Sequence, residues 1–119
     1  MKTVKTYSSY NHRRYSIPWI ALVDPRTAKP DFSQKVGGYT GDAGEEGDLF
    51  LFEPIENAVY MYGQKDYRGN NTERVYAQYL NGEFHVIPRT DLIRVLNDVM
   101  NNDSACCYLY PCQYVGSGP

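Results

Sequence analysis

The dipeptide Asn81-Gly82 constrains the fold of this chain more than any other feature of its sequence. It stands between two runs of alternating apolar and polar residues, ERVYAQYL and EFHVIP. Asn-Gly in this position is typical of a two-residue β-turn in which both residues take a positive φ. The sequence therefore predicts an antiparallel hairpin here. Pro88 ends its second strand, because proline cannot donate a hydrogen bond to the ladder.

Three further apolar runs predict strands upstream of this hairpin. A buried strand is expected from Trp19 to Val23, where WIALVD is closed by a Pro-containing turn. The run DLFLFEP is apolar on both faces, and AVYMYGQK alternates as a strand with one buried and one wetter face does. Their spacing predicts a hairpin between the two. Residues 25–35, with two prolines, are predicted to be a loop, and residues 36–48 a glycine-rich loop around a short extended piece.

A helix is predicted from Asp91 to Met100, with Thr90 as its N-cap. Its apolar positions form one stripe at helical spacing: Leu92, Ile93, Val95, Leu96, Val99 and Met100. Strands come first and the helix last, which predicts an α+β fold with a mostly antiparallel sheet of about five strands and one C-terminal amphipathic helix.

The chain of 119 residues is long enough for one domain. We divide it into a basic, tyrosine-rich arm (residues 1–16, with a short strand near Val4), a single α+β domain (residues 17–104) and a cysteine-containing tail (residues 105–119). No apolar run approaches the ~20 residues of a membrane span. The first residues do not resemble a secretory signal, so we expect a cytoplasmic protein that does not enter a membrane.

Charge is unevenly distributed along the chain. Residues 1–35 hold seven Lys and Arg against two Asp, whereas residues 36–64 hold six Asp and Glu and no Lys or Arg. The acidic residues are predicted to bind a partner: Asp42, Glu45, Glu46, Asp48, Glu53 and Glu56. Carboxylates in such a run can stand where phosphates lie in a basic groove. Alternatively, the basic and acidic segments neutralise each other across the fold or are solvated faces.

The sequence has twelve Tyr but only four Phe. Tyrosine suits both a half-solvated sheet face and a recognition surface, and both interpretations stay open. In two segments Tyr is interleaved with Arg, a pattern that can stack on bases and hold phosphates. The candidate residues for this contact are Tyr7, Tyr10, Arg13, Arg14, Tyr15, Tyr67 and Arg68. They define an alternative function, a small single-stranded nucleic-acid or RNA-binding module.

No catalytic, cofactor or metal motif is recognisable, so we expect a non-enzymatic protein with no cofactor. The glycine-rich segment lacks the Lys of a P-loop and the register of an EF-hand. His85 shares a strand face with Glu83, but a solvated cross-strand histidine is the commoner structure. The cysteines lack zinc-binding spacing and are expected to be free thiols: Cys106, Cys107 and Cys112.

The segments PWIALVDPRTAKPDFS, VGGYTG, EEGDLFLFEP and VYMYGQKDYRGNN carry a resemblance. Over roughly residues 7–95 the chain resembles small accessory proteins of conjugative elements and phages of Gram-positive gut bacteria. That family has no assigned activity. The resemblance implies a mobile genetic element as the setting, in which small cargo proteins often look like anti-defence proteins, including anti-CRISPR inhibitors. We therefore expect an interaction protein that binds a bacterial protein or ribonucleoprotein complex.

Overall fold

The computed structural model describes residues 2–6, 17–35, 38–42, 48–65 and 68–101. They form an α+β fold in which a five-stranded antiparallel sheet is accompanied by a three-stranded sheet and a C-terminal helix. The elements in chain order are β1 (Lys2–Lys5), β2 (Ile17–Asp24), β3 (Lys29–Lys35), β4 (Gly38–Asp42), β5 (Asp48–Phe52), β6 (Val59–Lys65), β7 (Asn71–Leu80), β8 (Glu83–Val86) and α1 (Leu92–Met100).

The larger sheet has the strand order β3-β2-β6-β7-β8 and confirms the predicted antiparallel sheet. Its last two strands are the predicted hairpin, with Asn81 at φ 53° and Gly82 at φ 84°. Strand β6 lies at the centre, and all its residues before Lys65 are buried. The prediction that one face of β6 is wetter is wrong, because alternation of Tyr with aliphatic residues does not distinguish a solvated face from a buried aromatic one.

The smaller sheet has the order β1-β5-β4 and was not predicted as a separate sheet. The predicted strand near Val4 is β1, whose pairing with β5 buries Val4. The predicted hairpin between β5 and β6 is wrong, because these strands belong to different sheets. The connection is tied instead to β7: Asn57, at φ 73°, donates its N–H to the Tyr79 carbonyl at 2.8 Å.

Residues 25–35 are not one loop, contrary to the prediction. A tight turn over residues 25–28 leads into β3, which pairs with β2 at the edge of the larger sheet. Pro30 is compatible with this position, because an edge strand has one side on which no N–H is required. The prolines therefore marked an edge strand and not an absence of strand.

The two sheets pack through aromatic rings. Phe52 of β5 lies 5.7 Å from Tyr60 and 6.3 Å from Phe84, measured between ring centroids. Phe50 lies 6.3 Å from Tyr62 in an edge-on arrangement. All five rings are buried. Much of the tyrosine content of the larger sheet is thus core packing.

The helix α1 confirms the predicted C-terminal helix, and buries Val95, Leu96 and Val99. Its apolar stripe is narrower than predicted, because Ile93 is 67% exposed. Thr90 is not the N-cap: it lies within a short 3-10 helix, Arg89–Asp91, that follows Pro88, and neither helix has a side-chain cap. The 3-10 turn takes the place of the capped first turn that was predicted.

The helix lies over the face of the larger sheet opposite the aromatic rings. Gln78 and His85 are cross-strand partners on β7 and β8, and they line a cleft together with Arg94 and Val95 of α1. Their neighbour Tyr79 points to the other face, where its ring lies 5.0 Å from Phe84. The larger sheet is therefore covered on both faces.

Candidate interaction surface at one end of the sheets

Strands β5 and β6 run in opposite directions in the two packed layers. Phe50 lies against Tyr62, and Phe52 lies against Tyr60. The first residue of β5 is therefore at the end of the molecule where β6 finishes with Lys65. Strand β2 begins at this same end, because Ile17 is the register partner of Lys65. We call it the charged end.

The hairpin β4–β5 reaches the charged end with acidic residues on both strands. Asp42, the last residue of β4, and Asp48, the first of β5, are register partners. Residues 43–47 contain Glu45 and Glu46 and lie outside the described part of the chain. We call the sequence from Asp42 to Asp48 the acidic hairpin, of which the structure describes the two paired ends.

The pairing of Asp42 with Asp48 is unusual in a stable antiparallel ladder. Like charges at directly opposed positions of an antiparallel ladder are destabilising, whereas opposite charges there are favourable. Asp42 and Asp48 occupy such opposed positions.

Basic residues of the larger sheet lie at the same end. Lys65 ends β6 and Arg68 follows in the connection to β7, and both are exposed. We call these two residues the basic tip. Arg74 is also exposed and is the register partner of Gly63, two residues before Lys65. The acidic hairpin and the basic tip thus belong to different layers but share one end.

Most of the predicted basic and aromatic residues lie outside the described part of the chain. These are Tyr7, Tyr10, Arg13, Arg14, Tyr15 and Tyr67. Of the arm, the structure describes residues 2–6, which contain β1, and the description resumes at Ile17, which begins β2. Lys5 is the register partner of Leu49, one residue after Asp48, so Lys5 and Ile17 are both at the charged end.

Glu53 and Glu56 do not belong to the acidic hairpin. They follow β5 at the opposite end, where β6 begins, and both are exposed. The Glu56 carboxylate accepts a hydrogen bond from the Asn81 N–H at 2.8 Å. Glu56 thereby holds the β7–β8 turn, a structural role that its position in an acidic run did not indicate.

An exposed aromatic residue was missed in the sequence. Phe32 on β3 is 56% exposed, and its ring packs edge-on against Trp19 at 5.1 Å. Trp19 is the register partner of Gly63, so this pair lies toward the charged end. The prolines Pro25 and Pro30 led to the prediction of a loop. The edge strand is too short for its alternation of apolar and polar residues to indicate a strand.

The core also contains tyrosine hydroxyls with internal partners. The Tyr60 hydroxyl accepts a hydrogen bond from the Ile55 N–H at 3.0 Å, and burial raises the pKa of Tyr60 to about 12. The Tyr62 hydroxyl accepts one from Gln64 Nε2 at 2.9 Å, and both side chains are buried. Both hydroxyls therefore have hydrogen-bond partners within the protein.

His85 is exposed on β8 next to a small cleft between the sheet and α1. The cleft has a volume of about 130 Å³, below the ~300–1,000 Å³ of typical small-molecule sites. Its Arg94 lies 3.8 Å from Asp91 and 3.7 Å from Asp98 in exposed ion pairs. The position of His85 agrees with the predicted solvated cross-strand histidine.

The described residues contain no group of three or more His, Cys, Asp or Glu side chains arranged to hold a metal ion. Cys106, Cys107 and Cys112 lie outside them. Within the described chain, no helix combines the length and apolar character needed to cross a bilayer. Comparisons with protein-family models, curated proteins and solved structures find no match to this chain.

Proposed function

We propose that this chain is a non-enzymatic interaction protein of the cytoplasm, which binds a bacterial nucleic-acid-handling complex through its acidic hairpin. The observation that carries the proposal is the register of Asp42 with Asp48, which sets two acidic residues opposite each other at the charged end, on either side of Glu45 and Glu46 in the sequence. Basic grooves that bind nucleic acid attract such a tip, because its carboxylates accept charge-assisted hydrogen bonds from Lys and Arg as phosphates do. Their opposed placement fits recognition better than stability.

The finer proposal is an anti-defence inhibitor of the anti-CRISPR type, carried by a mobile element. It depends on the resemblance described from the sequence, and the acidic hairpin supplies the mechanism. By occupying the groove of an RNA-guided nuclease, the hairpin would exclude the phosphates that the groove binds. Charge complementarity of this kind raises association rates and specificity, and salt weakens it.

The test is binding to a panel of RNA-guided CRISPR nucleases from Gram-positive gut bacteria. The informative variant is the double substitution Glu45→Lys and Glu46→Lys, which reverses charge between the paired strand positions. Its matched control is Glu83→Lys with Asp98→Lys, two exposed residues elsewhere, which changes the net charge equally. We expect the first variant to lose at least about tenfold in affinity, equivalent to ~1.4 kcal/mol. We expect the control to bind as the wild type does.

Labelled single-stranded RNA and DNA distinguish the alternative function in the same assay. A single-strand binder would bind these probes tightly and lose that binding with Arg13→Ala and Arg14→Ala, with a lower salt slope. That result, or a nuclease affinity that the acidic reversal leaves unchanged, would contradict the proposal. Absence of binding to every nuclease of the panel would refute the anti-CRISPR function.

A further inference from the structure

The β7–β8 turn places two groups that react with each other on adjacent residues. The side-chain amide of Asn81 is an electrophile, and the main-chain nitrogen of Gly82 is the nucleophile that follows it. Asn81-Gly82 is the only Asn-Gly pair in the sequence, and both residues are exposed. Glycine has no side chain to hinder the approach. Apart from its chain neighbours, no atom lies within 4 Å of a Cβ added to Gly82.

The reacting groups of this turn are unrestrained, whereas the main chain of Asn81 is held. In the part of the chain that the structure describes, neither the Asn81 side-chain amide nor the Gly82 N–H has a hydrogen-bond partner. The Asn81 N–H, however, donates to the Glu56 carboxylate at 2.8 Å. The side chain is therefore available for reaction, and the backbone conformation decides whether Cγ reaches the Gly82 nitrogen.

Asn57 is a protected asparagine in the same fold. Its φ of 73° is also in the left-handed region. The nitrogen that follows it, that of Ala58, donates its hydrogen to the Ile55 carbonyl at 3.1 Å, and Ala58 is buried. The methyl group of Ala58 adds a steric barrier that glycine lacks. The two asparagines thus share a backbone region but differ in the availability of the next nitrogen.

We propose that Asn81 is a site of spontaneous deamidation, and that its hydrogen bond to Glu56 slows the reaction in the folded chain. The Gly82 nitrogen loses its proton to solvent and forms a bond to Asn81 Cγ. The side-chain nitrogen of Asn81 takes up a proton and leaves as ammonia, which gives a cyclic succinimide. Water then opens the ring at either carbonyl, so the product is aspartate or isoaspartate. Water is the only co-reactant, and nothing is oxidised or reduced.

Glu56 acts on this reaction through the backbone. In a type I′ turn ψ of the first central residue is about +30°, which directs the next nitrogen away from the Cβ of that residue. Ring closure therefore passes through an opened turn. Local opening is rarer while Glu56 holds the Asn81 N–H, and the loss of one such hydrogen bond shifts an opening equilibrium roughly three- to tenfold.

The isoaspartate product disturbs the hairpin. Its main chain runs through Cβ and Cγ, which lengthens a turn whose flanking residues, Leu80 and Glu83, are register partners. Turn length sets the register of a hairpin. A displaced β8 moves Phe84, whose ring lies 6.3 Å from that of Phe52 between the two sheets. Deamidation of Asn81 therefore weakens the contact between the sheets as the protein ages.

The experiment incubates the purified full chain at neutral and at mildly alkaline pH, and follows each asparagine by peptide mapping with mass spectrometry. We expect Asn81 to become aspartate and isoaspartate, faster at the higher pH, while Asn57 stays an amide. Glu56→Ala should accelerate the conversion roughly three- to tenfold. The matched control is Glu56→Gln, which keeps an acceptor oxygen at this position and should convert at about the wild-type rate.

An Asn81 that stays an amide in the folded wild type, or reacts no faster than Asn57, overturns the modification site. Equal rates in the wild type and Glu56→Ala, or a Glu56→Gln rate as high as that of Glu56→Ala, overturn the restraint. Conversion of Asn57 in Glu56→Ala does so too, because general unfolding would then explain the faster reaction. The isolated isoaspartate form should unfold at a lower urea concentration than the fresh chain, and an unchanged midpoint would contradict the effect on register.

Discussion

Truncation of Phe52 to alanine should strongly destabilise the protein, because this side chain joins the two sheets. Phe52 is 4% exposed and packs against Tyr60 and Phe84 at 5.7 and 6.3 Å. Removing a buried phenylalanine costs about 3–5 kcal/mol, which includes the cavity that it leaves. Aromatic pairs contribute about 0.5–1.5 kcal/mol each within that sum. The loss is a large fraction of the ~5–15 kcal/mol stability of a domain this size.

The matched control is its neighbour on the strand, Leu51→Ala. Leu51 is 38% exposed and points away from Tyr60, so we expect a cost below about 1 kcal/mol. Urea denaturation followed by circular dichroism gives both free energies of unfolding. Equal costs for Phe52→Ala and Leu51→Ala, or a neutral Phe52→Ala, would refute the assignment of one buried face to β5 and with it the two-sheet packing.

Three further predictions concern the larger sheet and its helix. Gly82→Val should lower the free energy of unfolding by at least about 1–2 kcal/mol, measured by thermal unfolding. Gly82 has φ +84° and open space around an added Cβ, so this cost comes from backbone strain alone. An unchanged melting temperature would contradict the turn. Leu96→Ala should cost about 2–5 kcal/mol, whereas Ile93→Ala, on the exposed face of α1, should change stability by less than about 0.5 kcal/mol; reversed costs would place the opposite helix face on the sheet. The pKa of Tyr60, about 12 when folded against 10.0 ordinarily, means that the unfolded chain loses this proton first. The stability that protonated Tyr60 contributes is therefore fully present below pH 10 and is lost as the pH rises toward 12. Urea titrations between pH 9 and 12 should show a weaker alkaline loss of stability in Tyr60→Phe than in the wild type, and identical slopes would exclude this group.

The sequence predicted elements whose cause is local, and it failed where tertiary packing decides. Asn81-Gly82 encodes its turn through φ preferences, and the spacing of Val95, Leu96 and Val99 encodes a helix face. By contrast, no local sequence feature shows whether β5 is hydrogen-bonded to β6 in one sheet or packs against it from a second sheet. In the structure the connection between them is hydrogen-bonded to β7 through Asn57, a contact that joins residues distant in the chain.

Prediction of the site was similarly divided. The acidic run was visible as a compositional fact, but its members separate in space: Asp42 and Asp48 are opposed at the charged end, whereas Glu56 holds a turn at the other. Strand direction in two layers determines this separation, and sequence alone does not give it. The same topology places Lys65 at the same end of the molecule as Asp42 and Asp48, in the other layer.

Inhibition of target-DNA cleavage tests the central claim most directly. A guide-loaded CRISPR nuclease that binds the chain is incubated with wild type, with the Glu45→Lys/Glu46→Lys variant, or with the Glu83→Lys/Asp98→Lys control. The initial cleavage rate of a labelled duplex is then measured against protein concentration. We predict dose-dependent inhibition by the wild type and the control, and a midpoint at least about tenfold higher for the acidic reversal. Unimpaired cleavage with the wild type, or equal inhibition by all three proteins, would contradict a function carried by the acidic hairpin.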